Sequence, residues 1–189
     1  MLLTKQVYRS SFYEKLREFG LTVYSYRNNF FILIKGNDSS RIVCVEFVSS
    51  ARVKSEIHRS PNGNILSGIG RFKFTIPKWE EKVNYYIFAF LNTPNREIEY
   101  VIVPNEVLRN RFQNQNRMPE GAKKAELTLW MMPDKRVYDT TGLSMEGEYY
   151  FLSSGSGGRM ADGGDMDYTN YLNNWSGVID SLIASGNSN

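Results

Sequence analysis

The sequence predicts a mixed α/β (α+β) fold in which helices flank a central, mixed β-sheet. Three observations support this prediction. Apolar residues recur at helical spacing over residues 4–19, strand-like runs separated by turn residues follow over 21–48, and two further apolar runs occupy 83–91 and 97–103. A helix followed by a meander and then by more strands is typical of an α+β sheet protein.

The first predicted element is an amphipathic helix over residues 4–19. Gly20 comes directly after it, and glycine is the residue that most often ends a helix. The apolar side chains of this segment, which recur at spacings of three to five residues, are Leu3, Val7, Phe12, Leu16 and Phe19. The helix therefore has one face to bury against the sheet.

Three strands are expected next, because runs rich in β-branched and aromatic residues alternate with turn residues. They occupy residues 21–26, 30–35 and 41–48, with a turn at 27–29 and a loop at 36–40. Residues 49–70 contain Pro61-Asn62-Gly63-Asn64, which predicts an exposed excursion. Period-two alternation then predicts a strand at 71–76, and a short helical turn is expected at 79–82 after Pro77.

The second half begins with the strands at 83–91 and 97–103 and becomes less regular. Pro104-Asn105 predicts a stop and an N-cap for a helix through Phe112. Further strands are expected at 125–131 and 148–152. A flexible loop at about 153–166 and a terminal helix over 168–184, capped by Asp167, complete the chain.

Length and composition favour one domain spanning residues 1–189. No stretch approaches the roughly 20 apolar residues of a membrane span, and the N-terminus is too polar for a secretory signal, so we expect a cytoplasmic protein with no membrane contact. Cys44 is the only cysteine, so it cannot form an internal disulfide. Together with His58, the only histidine, it cannot supply a Cys/His zinc site.

Charge is distributed unevenly along the chain. Residues 1–73 hold 12 Lys/Arg and 5 Asp/Glu, a net charge of +7, whereas residues 74–189 hold 11 and 15, a net charge of −4. A basic half suits a polyanionic partner such as nucleic acid, because each phosphate contact releases a counterion. An ordinary solvated surface is the alternative interpretation.

Glu46 is the most unusual residue of the predicted sheet. It lies inside the run Ile42-Val43-Cys44-Val45-Glu46-Phe47-Val48, where its neighbours are apolar or small. An ionised carboxylate in a strand buried on both faces costs several kcal/mol unless it is paired, protonated or bound to a cation. Glu46 is therefore either a site residue or a structural acid that pairs with an arginine or reaches water.

A helix ending at Gly20, a strand, a hairpin and a third strand carrying Glu46 resemble the core of the PD-(D/E)XK, or restriction-endonuclease-like, nuclease superfamily. The runs at 83–88 and 100–104, followed by Glu106-Val107-Leu108, are similar to the sheet edge and following helix of small prokaryotic members, as is a late Asn174-Trp175. The resemblance covers residues 5–112 as a nuclease-like core and leaves 113–189 as a C-terminal extension.

The resemblance implies a Mg²⁺-dependent DNA endonuclease, with Glu46 as the third-strand metal ligand. A divalent cation would stabilise charge on phosphate oxygens and lower the pKa of the attacking water. Two family positions differ here. Val48 stands where a lysine is expected, and Phe30 or Phe31 stands where an aspartate would open the second strand. Both phenylalanines are expected in the core.

Other residues could restore the missing groups. Lys73, on the polar face of the fourth strand, is the candidate catalytic residue that orients water, and Arg52 or Lys54 could fold back over the sheet. A second metal-ligating acid could come from Glu14 or Glu18 on the first helix, or from Asp38 under a different strand register.

The alternative function is a catalytically inactive nuclease-fold subunit that binds nucleic acid or a protein partner, with a homodimer as one form. In that interpretation a face containing Arg52, Lys54, Arg59, Arg71 and Lys73 contacts phosphates. A nucleophilic triad has little support, since His58 is the only histidine and no Gly-x-Ser-x-Gly elbow occurs.

Overall fold

A computed structural model describes residues 4–27, 29–50, 58–59, 65–75, 83–115, 117, 124–143 and 164–183. Three α-helices lie in this part of the chain: α1 (Lys5–Glu18), α2 (Asn105–Asn114) and α3 (Ser176–Ile183). A single 3₁₀ turn, Thr169–Tyr171, precedes α3. No helix of the described residues is long and apolar enough to cross a membrane.

Eight of the described strands form one sheet, and two short strands, β4 (His58–Arg59) and β5 (Ile65–Leu66), pair separately. The strands of the large sheet are β1 (Leu21–Arg27), β2 (Phe30–Lys35), β3 (Asp38–Ser49), β6 (Gly68–Thr75), β7 (Tyr85–Asn92), β8 (Glu97–Pro104), β9 (Lys124–Met131) and β10 (Val137–Asp139). The strand order is β1-β2-β3-β7-β6-β9-β10, with β8 also paired to β7.

The sheet is mixed, because β3 and β7 run parallel while the other pairs are antiparallel. The β1–β2–β3 meander and the β7–β8 hairpin are joined at this parallel pair, where Val45 to Ser49 lie opposite Tyr85 to Ala89. A mixed sheet flanked by helices confirms the predicted α+β class.

Helix α1 forms as the sequence predicts. The hydroxyl of Thr4 caps its N-terminus by accepting a hydrogen bond from the amide of Val7, and Gly20, at a φ of +69°, lets the chain turn away after the last helical residue. Tyr8, Phe12 and Leu16 form its buried stripe.

Two apolar cores lie on opposite faces of the sheet. We call the side covered by α1 and α3 the α1 face; its core includes Phe12, Phe47, Ile87, Ile102 and Val178. The other side is the α2 face, whose core includes Val48, Tyr86, Phe88, Phe112 and Leu127. Alternate residues of β3, β7 and β8 divide between the two cores, as the pleat of a strand requires.

Several boundaries differ from the sequence predictions. β3 begins at Asp38, so the predicted loop at 36–40 is a two-residue turn in which Gly36 has a φ of +58°. Pro104, rather than Asn105, is the N-cap residue of α2. The strand at 137–139 was not predicted. The helical turn at 79–82, the strand at 148–152 and the loop at 153–163 lie outside the described residues.

The predicted terminal helix over 168–184 is wrong in its first half. The chain forms the 3₁₀ turn at 169–171, and α3 begins only at Ser176. Between them Asn173 has a φ of +51°, and its side-chain oxygen accepts a hydrogen bond from the amide of Tyr100 at 3.0 Å. This contact with β8 replaces helical continuation, because a residue in the left-handed region interrupts a helix.

Candidate functional site

Glu46 is buried, with 2% of its surface exposed, on the α2 face of β3. Its neighbours across the sheet are Phe30 of β2 and Tyr86 of β7. Val48, two residues further along the same face, belongs to the apolar core. The predicted burial of Glu46 among apolar residues is therefore confirmed. The predicted core position of Phe31, which is 1% exposed, is confirmed as well.

Tyr86 shares the electrostatic environment of Glu46. Burial raises the pKa of the Tyr86 phenol, and the negative charge of Glu46 raises it further. The phenol oxygen is buried and has no hydrogen-bond partner among the described residues. A carboxylate and a neutral phenol thus lie together on this face, and the phenol keeps its proton throughout the physiological pH range.

Lys73 does not lie near Glu46. Phe72 and Phe74 pack into the α2-face core, so Lys73, between them in β6, points to the opposite side of the sheet. Its side chain is 77% exposed, and its Nζ lies 2.6 Å from Oε1 of Glu126 on β9. Lys73 is a surface ion-pair residue in this structure, and the predicted role beside Glu46 has no geometric basis here.

The three acids that could assist Glu46 lie elsewhere. Glu14 and Glu18 are exposed on α1, and α1 packs on the α1 face, opposite the side that carries Glu46. Asp38 begins β3, eight residues from Glu46, which is about 27 Å along an extended strand. Hydrogen bonds from Ser40 lower the pKa of the Asp38 carboxyl. Asp38 therefore interacts locally, at the start of β3.

The residues that the structure describes do not by themselves assemble a magnesium centre around Glu46. They contain no group of three or more His, Cys, Asp or Glu side chains that could hold a metal ion. Mg²⁺ needs several oxygen ligands in near-octahedral geometry, whereas the described neighbours of Glu46 across the sheet are Phe30 and Tyr86.

The predicted phosphate-contacting residues are only partly described. Arg52 and Lys54 lie outside the described residues, as do the side chains of His58 and Arg59, whose backbone forms β4. Arg71 is exposed on β6, and its backbone amide donates a hydrogen bond to the hydroxyl of Ser50 at 3.0 Å. Arg71 therefore lies next to the C-terminal end of β3.

A second feature lies at the same end of β3. A recess of about 220 Å³ lies between the N-terminal turns of α1, the β1–β2 turn and the end of β3. We call it the basic recess; the residues that line it are Lys5, Gln6, Arg9, Asn29, Phe47 and Ser49. Among the described residues the lining contains two cations and no carboxylate, and the first turn of α1 contains no acidic residue.

Two tertiary contacts define the basic recess. The backbone carbonyl of Asn29 accepts a hydrogen bond from the amide of Phe47 at 2.8 Å, which holds the turn against β3. The Arg9 guanidinium lies 5.3 Å from the centre of the Phe31 ring, a cation–π contact that restrains the side chain. Amide and cationic donors thus converge where the positive end of the helix dipole also lies.

Sequence reasoning did not single out Lys5, Arg9 or Asn29. Asn29 is 20 or more positions from Lys5 and Arg9 in the chain, and the docking of α1 on the meander brings it to them. One local signal was present: two basic residues four positions apart at the start of a helix that lacks first-turn acids.

No protein-family model, no curated protein and no solved structure matches this chain.

Proposed function

We propose that the protein binds nucleic acid, preferably DNA, through phosphate contacts at the basic recess. The observation that carries the proposal is the lining itself, in which Lys5 and Arg9 occur with the Gln6 and Asn29 amides and, within the described part of the chain, without a carboxylate. Cationic and amide donors at a helix N-terminus suit phosphate oxygens.

One described cation extends this basic surface. Arg71 lies beside Ser50, directly after the recess residue Ser49. The concentration of positive charge in residues 1–73 supports a polyanionic partner for the same part of the molecule. A strand of phosphates could therefore continue from the recess towards Arg71.

The test is a titration of labelled single- and double-stranded DNA between about 50 and 200 mM salt. Affinity is expected to fall with salt. The double variant Lys5→Ala/Arg9→Ala removes two phosphate contacts, so the slope of log K against log salt should decrease by about 2 for duplex DNA. Binding by the wild-type protein that does not depend on salt would contradict the proposal.

The matched control is Lys35→Ala/Lys124→Ala, which removes the same net charge at exposed positions away from the recess. It should leave the salt slope close to the wild-type value. Equal losses in both double variants would show that net charge alone drives binding, and the recess would then not be the binding site.

Magnesium-dependent phosphodiester hydrolysis stays a second candidate, and the position of Glu46 on the third strand of the meander is the observation that favours it. The same DNA, incubated with Mg²⁺ or Mn²⁺, tests it. Cleavage that Glu46→Gln abolishes would support an endonuclease, while equal background cleavage by both proteins would leave a binding protein without chemistry. The binding titration does not depend on this outcome.

A further inference from the structure

A larger groove lies at the opposite end of α1, on the α1 face of the sheet. It has a volume of about 590 Å³, between the C-terminal half of α1, β8 and residues 173–175. We call it the acidic groove; the lining residues that matter for its chemistry are Glu14, Glu18, Glu97, Glu99, Tyr100 and Trp175. Its volume falls within the range of small-molecule and peptide-side-chain sites.

Two carboxylates of the acidic groove have no cationic partner among the described residues. The described lining contains four glutamates and two cations, Lys15 and Arg96, and Glu99 also lies 3.9 Å from the ammonium of Lys135. Lys15 pairs with Glu18 at 2.6 Å, whereas neither Glu14 nor Glu97 forms an ion pair within the described part of the chain. Both of these side chains are exposed, so two carboxylates remain available to a cationic ligand.

The floor of the groove is rigid and aromatic. Glu99, 3% exposed, accepts hydrogen bonds from the side-chain amides of Asn92, at 2.9 Å, and Asn173. The rings of Tyr100 and Trp175 meet edge to face with their centres 5.4 Å apart. A floor of aromatic rings favours the alkyl stem and the delocalised charge of a guanidinium group.

Trp175 supplies an independent indication of a ligand. The residue is 4% exposed, and its indole N–H has no hydrogen-bond acceptor among the described residues. A buried donor without an acceptor is costly, and such groups usually have a partner. Because indole nitrogen can only donate, the missing partner must offer an acceptor, such as a carbonyl oxygen.

We propose that the acidic groove binds a basic segment of a polypeptide partner, with an arginine or lysine side chain between Glu14 and Glu97 and a carbonyl oxygen accepting from Trp175. A polyamine would satisfy the carboxylates but offers no acceptor to the indole. Nucleic acid would offer acceptors, but its phosphates would be repelled by the carboxylates. A basic peptide satisfies both requirements, and the inference does not rest on nucleic-acid binding at the basic recess.

The probe is a short acetylated and amidated peptide that contains two arginines, titrated into the isotopically labelled protein by NMR. The indole N–H resonance of Trp175, assigned with Trp175→Phe, is expected to move downfield as the hydrogen bond forms, while that of Trp130 stays unchanged. Glu14→Gln/Glu97→Gln is expected to weaken binding by about tenfold, since it removes two exposed ion pairs. Both positions are exposed, so this variant keeps the fold.

Three controls decide between occupants. Glu106→Gln/Glu126→Gln makes the same charge change outside the groove and should bind as the wild type does. A peptide with citrulline in place of both arginines should bind at least about tenfold more weakly. Equal binding of the citrulline peptide, an unmoved Trp175 resonance, or tighter binding of spermine with the same resonance shift would each overturn the proposal.

Discussion

The two ends of α1 present opposite chemistry to solvent. The N-terminal turns place Lys5 and Arg9 in the basic recess, whereas the C-terminal half places Glu14 and Glu18 in the acidic groove. Lys5 and Glu18 lie about 20 Å apart along the axis of this helix, while charges are screened within about 8 Å at physiological ionic strength. These outer charges of the two sites therefore act separately although they belong to one helix, whereas the inner charges, Arg9 and Glu14, lie only about 8 Å apart along the axis.

The basic end of α1 is also electrostatically unfavourable in isolation. Cations near a helix N-terminus oppose the helix dipole, at a cost of about 0.3–1 kcal/mol each when exposed. Lys5 opens α1, and no first-turn acid offsets it. An anion bound in the recess would relieve this repulsion. At the other end Lys15 and Arg17 complement the dipole, and the acids of the groove come from α1 and β8 together.

The largest expected effect comes from Phe12→Ala, which tests whether the two ends share one support. Phe12 is fully buried and stacks on Phe47 with ring centres 4.4 Å apart. Because Phe47 lines the basic recess and Phe12 also contacts Trp175 in the acidic groove, the variant should weaken both sites. Urea unfolding should show a loss of about 3–5 kcal/mol.

The matched control for this variant is Val7→Ala, a half-exposed residue of the same helix. It should lower the free energy of unfolding by less than about 1 kcal/mol. A Phe12→Ala protein that keeps one binding activity intact while losing the other would mean that the two ends of α1 are held independently.

The next effect in size is the response of the α1 face to alkaline pH. Burial raises the pKa of both Tyr8 and Tyr100 to about 12, from 10.0. Below pH 10 both phenols are protonated in the folded and unfolded states. Between pH 10 and 12 the unfolded chain ionises more than the folded one, so stability is lost as pH rises, by at most about 3 kcal/mol per phenol.

This titration distinguishes the ends of α1. After burial, the charges of Glu14 and Glu18 also raise the pKa of Tyr100, opposed by its hydrogen bond with Ser11. Glu14→Gln should therefore lower the pKa of Tyr100 in a spectrophotometric titration, with Tyr100→Phe identifying the signal. Lys5→Ala, at the basic end, should leave it unchanged. An equal shift in both variants would contradict the separation of the two sites.

Much of the fold followed from local sequence patterns. Apolar spacing predicted α1 and Gly20 its end, and alternating runs predicted β1, β2, β6, β7, β8 and β9 within a few residues. The three-residue strand β10 was missed because so short a run has no periodicity. The break before α3 was missed because Asn173 contacts β8 through Tyr100, 73 positions away in the chain.

The site was less predictable than the fold. Glu46 stood out because a carboxylate in an apolar run is visible in one strand. Whether Glu14 lies near Glu46 depends on which face of the sheet α1 covers. Because α1 packs against Val45 and Phe47, Glu14 lies on the face opposite Glu46. Lys73 lies on the polar face of β6, as predicted, and that face is opposite the side that carries Glu46. Which side of the sheet a polar face occupies depends on tertiary packing rather than on local pattern.

The smallest expected effect belongs to Lys73→Ala, which tests a cation outside both ends of α1. The side chains of Lys73 and Glu126 are 77% and 63% exposed, and an exposed ion pair contributes about 0.2–1 kcal/mol. Urea unfolding should therefore change by less than about 1 kcal/mol, and peptide binding at the acidic groove should not change. A loss of DNA cleavage with DNA binding retained would instead mean that Lys73 takes part in chemistry. The reactive part of the molecule would then lie outside both the basic recess and the acidic groove.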